Sequence, residues 1–136
     1  MNPNINDYTT AHTFAEIESA ISIIKRPTRP TKPSALNINT AGEAHEFANR
    51  MTAYERELDD YNAACEAARE LEGEFRKLWE RKLRAEYSHW NDGTFGAVYS
   101  MARDETRRYS ELRNRMEDME PLVDAIISAN TGFRNG

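Results

Sequence analysis

One cysteine in 136 residues excludes an intrachain disulfide and a thiolate metal cage, and Cys65 sits where a small buried hydrophobe is expected. The six glycines build no phosphate-cradling loop. There is no Walker loop, no dinucleotide fingerprint and no G-x-S-x-G nucleophile turn. Acidic residues are abundant enough to pair by chance, but none lies in a glycine-containing loop of the kind that builds a catalytic pocket. Glu86 and His89 have the Glu-x-x-His spacing of carboxylate-bridged metal bundles, yet neither His12 nor His45 has a glutamate three residues earlier, so the ligand set stays incomplete. The chain is therefore expected not to be an enzyme and to hold no cofactor or metal. No run approaches the roughly 20 apolar residues that cross a bilayer. The first residues also lack the basic-then-apolar order of a secretory signal, so a soluble, cytoplasmic protein without membrane contact is expected.

What is present is helical periodicity. The hydrophobic fraction is 39% and the charged fraction 30%, the balance of a solvated protein whose apolar residues are confined to stripes within one domain, 1–136. From Ala44, an apolar or small residue recurs at Phe47, Met51, Tyr54, Leu58, Tyr61, Cys65 and Ala68 in a three-then-four alternation that keeps one seam along a helix. Such a seam requires a partner, because a lone helix in water is held mainly by burying its stripe. Thr40 and Glu43 form a capping box and the next proline after Pro33 is Pro121, so the helix is predicted over 41–90. Leu71 breaks the alternation by arriving one residue early, and Gly73 beside it is the expected bend.

Thr13 and Glu16 make an earlier capping box before Phe14, Ile17, Ala20, Ile21 and Ile24, which predicts a short helix over 13–25. Between the two helices, Pro27, Pro30 and Pro33 stand three apart with Arg26, Arg29 and Lys32 between them. Polyproline II has three residues per turn, so 26–39 reads as a basic strap with its rings along one edge, able to lie on the tyrosines of the long helix. After the turn formers Asn91, Asp92 and Gly93, the alternation resumes from Phe95 to Ile126, interrupted only at Glu105. This predicts a returning helix over 94–129, kinked near Pro121. The expected fold class is all-α: a long antiparallel, coiled-coil-like helical hairpin with a short N-terminal helix and a polyproline II strap.

The K-R-P-T-R-P-T-K-P rod, the Y-E-R-E-L-D-D-Y-N and F-R-K-L-W-E-R-K-L segments and the acidic last helix together resemble small accessory proteins of bacteriophages. The resemblance implies a phage-encoded modulator or inhibitor that binds a host protein or complex, such as a defence or transcription component. The residues expected to carry protein binding are Trp79, Tyr87, Trp90, Phe95, Arg103 and Arg107, because Trp, Tyr and Arg dominate interface energetics. A structural homo-oligomer, with the seam paired between copies as in a homodimer, is the alternative. Nucleic-acid binding, or acidic mimicry of DNA, comes third. Asp104, Glu105 and Glu111 would oppose phosphate contacts made by Arg103, Arg107 and Arg108, and the net charge of −5 is mild for a mimic.

Overall fold

Thr13 and Thr40 each close the open start of a helix. The Thr13 hydroxyl accepts the Glu16 N–H at 3.1 Å while Glu16 accepts the Thr13 N–H at 3.2 Å, and α1 runs Phe14–Ser22. The Thr40 hydroxyl accepts the Glu43 N–H at 3.1 Å and opens α2, Ala41–Glu86. At 46 residues this helix is about 69 Å long. It passes unbroken through Gly73. Two further helices follow, α3 over Asp92–Glu105 and α4 over Tyr109–Asn135, and a 3-10 turn over Ile5–Asp7 precedes α1. The computed structural model describes residues 2–35 and 37–135, the side chains of 131–135 excepted, and is all-helical, with no strand among the described residues. Position 36, inside the expected strap, lies outside the described residues.

The core forms at one end of α2. Phe75, Leu78, Trp79 and Leu83 are buried there against Phe14, Ile17 and Ala20 of α1, Phe95, Val98 and Ala102 of α3, and Leu112 and Met116 of α4. Trp79 is its centre, with the Phe14 ring edge-on at 5.5 Å and the Tyr109 ring at 5.2 Å. Phe14 itself lies between two cations, Arg113 at 4.4 Å and Lys82 at 5.0 Å from the ring centre, which ties α1 to both α2 and α4.

The helices differ from expectation at four places. First, α2 stops at Glu86 and not at Trp90, because Tyr87 and Trp90 turn inward and stack at 4.6 Å while the Asn91 side chain accepts the Thr94 N–H at 2.7 Å and caps α3. Second, the single return over 94–129 is two helices. Thr106 takes an extended conformation and its hydroxyl donates to the Ala102 carbonyl at 3.0 Å, ending α3 at Glu105. Third, α4 runs on through Pro121 to Asn135, past the expected end at 129. Pro121 is exposed, so the carbonyl its ring leaves unpaired meets solvent, and half-buried Met119 and Val123 on either side pack against the core. The short helix likewise ends at Ser22, three residues before Lys25, where the Ser22 hydroxyl donates to the Ser19 carbonyl at 2.7 Å.

The break at 106–108 sets the course of the chain. Arg84 pairs with Asp92 at 3.0 Å and Tyr99 donates to Glu80 at 2.8 Å, so α3 descends along the last turns of α2. Tyr109 lies beside Trp79 and Arg76, Arg113 pairs with Glu86 at 3.2 Å, and Glu120 meets His89 at 2.6 Å, so α4 climbs again in the direction of α2. The return thus reaches back only to about Arg76. The first half of α2 is an arm whose seam residues, Phe47 through Cys65, are half-buried and belong to no core cluster. Along it runs the segment after α1. Arg26 pairs with Glu72, and Pro27 and Pro30 line a shallow groove with Asp60, Tyr61 and Ala64.

This uneven burial predicts uneven energetics. Trp79→Ala should cost about 3–5 kcal/mol in urea unfolding, and Phe47→Ala under about 1.5 kcal/mol. Equal losses at the two positions would contradict a core confined to one end.

Candidate interaction surface

Of the six residues expected to carry binding, the structure places four inside. Trp79 is 0% exposed, Tyr87 2%, Phe95 4% and Trp90 5%, so the expectation that these aromatics form a binding surface is corrected. They are core because α1 and α4 cover the end of α2 that a simple two-helix hairpin would leave open. Arg84 stacks over the Phe95 ring at 4.7 Å and seals its outer side. Arg103 and Arg107 are exposed, and both line a cleft at the turn between α3 and α4.

An apolar surface lies elsewhere. Thr94, Ala97 and Val98 of α3 face Val123, Ile126 and Ile127 of α4 across a groove of about 400 Å³. The spacing on α4 is three then one, the face pattern of a helix. Leu122 is 64% exposed, Ile126 53% and Ile127 39%, an unusual concentration of large apolar side chains at the surface. The sequence reading placed Val123 and Ile126 in a covered seam and passed over Leu122, Ile127 and Ala97. The doublets Leu122–Val123 and Ile126–Ile127 were the available signal, since together they make a stripe wider than one contact line consumes.

No charged residue lines this groove, and the acids of α4 lie outside it. Asp118 and Asp124 are exposed on α4, and Glu117 is held by Arg113 at 3.4 Å. His89, Glu120 and Asp124 bring three possible ligand atoms within 4.8 Å of one another. The 2.6 Å contact of His89 Nε2 with Glu120 is an ordinary brace between the corner and α4, and the cluster stands at the surface. Glu86, which has the Glu-x-x-His spacing to His89, pairs with Arg113 at 3.2 Å.

Burial also acts on the phenols. Tyr87 is pushed up to about 12, first by burial and then by the nearby carboxylates of Glu117, Glu120 and Glu86. Tyr99 and Tyr109 are raised too, again chiefly by burial. Comparison with known proteins finds no family model, no curated protein and no solved structure that matches this chain.

A pH dependence follows. The Tyr87 phenol ionises in the unfolded chain near its ordinary value of 10.0 and in the folded chain at about 12. Its contribution to stability is complete below the lower value and is lost as pH rises through the upper one. Unfolding midpoints should therefore fall across this alkaline window, and Tyr87→Phe should flatten the fall. An unchanged slope in the variant would show that this phenol is not held back by burial.

Proposed function

We propose that this protein is a non-catalytic protein-binding module, and that its docking surface is the apolar groove between α3 and α4. The observation that carries the reading is the trio Leu122, Ile126 and Ile127, exposed together on one helix beside a concave apolar wall. The occupant fitting that surface is an amphipathic helix with its apolar stripe in the groove. The role of a phage-encoded modulator of a host protein draws its support from the resemblance in the order of sequence features. Arg103 and Arg107 remain at the surface, on a different face of the α3–α4 pair.

The polyproline II strap belongs to the same reading. From Arg26, clasped by Glu72, to Thr40, which caps α2, about 14 residues must cover roughly 45 Å of helix, near the rise of about 3.1 Å per residue of polyproline II. Half-burial of Pro27, Pro30 and Pro33 supports rings laid against the arm. A second reading, the homo-oligomer, is favoured by one observation: among the described residues Phe47, Met51, Tyr54 and Leu58 keep their heptad spacing outside the core cluster.

Leu122→Glu with Ile126→Glu should weaken binding of a partner by at least about tenfold while leaving the melting temperature within a few degrees. A photo-crosslinker at Ala97 should label an amphipathic helix of that partner. Undiminished binding by the double variant would overturn the groove reading. The homo-oligomer is tested by sedimentation equilibrium. A mass of 15.7 kDa at all concentrations rejects it. A dimer that Leu58→Asp dissociates establishes it.

A further inference from the structure

We propose that the cleft at the turn between α3 and α4 binds a polyphosphate anion, either inorganic pyrophosphate or the phosphate tail of a nucleotide. The site is separate from the apolar groove and does not depend on it. The cleft holds about 260 Å³ and brings Arg76, Arg103, Arg107 and Arg108 to one wall system with Tyr99 and Tyr109. Ligand pockets for drug-sized molecules begin at about 300 Å³, so this space suits a compact polyanion.

The charge accounting favours an anion strongly. Arg76 is neutralised by Glu72 at 2.6 Å and lies over the Tyr109 ring at 5.9 Å. Arg103, Arg107 and Arg108 have no carboxylate partner among the described residues. The one acid lining the cleft, Glu80, accepts the Tyr99 phenol at 2.8 Å. The acids interleaved in the sequence are elsewhere: Glu105 is tied to Arg115 at 2.6 Å, and Asp104 and Glu111 are exposed and do not line the cleft. Three guanidinium groups without an ion-pair partner thus line the cleft against the single carboxylate of Glu80, leaving it net positive in a protein whose net charge is −5. Such an excess attracts a polyanion such as a diphosphate, and the planar fork of arginine suits phosphate oxygens.

Local chemistry reinforces this. The first turn of α4 supplies Tyr109 and Leu112 to the wall, so the positive end of the helix dipole lies at the cleft. Thr106, also in the wall, is extended and places the short linker of Arg107 and Arg108 between two helix ends. The raised phenols keep their protons at neutral pH and add no negative charge.

The test is calorimetric titration of the full chain with inorganic pyrophosphate and, separately, with ATP, at low and physiological salt. Both are expected to bind one per chain, more weakly as salt rises. Arg103→Gln with Arg107→Gln and Arg108→Gln should reduce affinity at least tenfold, whereas Arg81→Gln, an exposed arginine outside the cleft, should leave it within twofold. Circular dichroism of the triple variant checks folding, and Arg107→Gln alone, expected to lose about threefold, keeps the test open if the triple variant misfolds. Equal affinity for the two ligands identifies recognition of the phosphates alone. Tighter ATP binding identifies a nucleotide. No binding of either, sulfate binding as tightly as pyrophosphate, or affinity unchanged in both variants overturns the proposal.

Discussion

A helix of 46 residues is about 69 Å long, and the helices that follow it do not cover that length. Everything else in the fold follows from how the remaining apolar residues are spent. They are gathered at the last quarter of α2, where Trp79 meets α1 and α4 and where α3 folds back within a few turns. Concentrating them produces a dense core whose largest fully sealed side chains are Trp79, Phe75, Ile17, Leu83 and Met116. The same concentration leaves an arm whose seam residues are half-buried and outside the core cluster.

The turn at 106–108 is the point at which this distribution is decided. Had α3 continued, its residues would have reached down the arm and completed a long two-helix layer. Because Thr106 closes α3 with its own hydroxyl, α4 climbs back beside α2 and buries Leu112 and Met116 in the existing core. Two surfaces result from that reversal. The cleft of guanidinium groups sits at the turn itself. The apolar groove sits farther up, where α4 passes the start of α3.

Much of this was legible in the sequence, and the misreadings have physical causes. The two threonine caps marked the starts of α1 and α2 because a hydroxyl three residues before a glutamate has few other uses. The gap at Glu105 in the alternation was visible, but it was read as an oddity in one helix when it marked the break between two. The aromatics near the corner were beyond reach. Trp79, Tyr87, Trp90 and Phe95 have the composition of a binding patch and of a core alike, and only the placement of α1 and α4 tells them apart. Arg103 and Arg107 were correctly set at the surface, where three-dimensional pairing freed them from the acids beside them in sequence.

The arm also sets a distance. From Ala41 to Ala68 the axis advances about 40 Å, and a continuous α-helix of that length bends little under thermal load. Whatever engages its tip is held at a nearly constant separation from the α3–α4 end, as by a rigid spacer between two jaws. Changing the number of heptads in the arm would alter that separation in steps of about 10 Å without touching a single core residue.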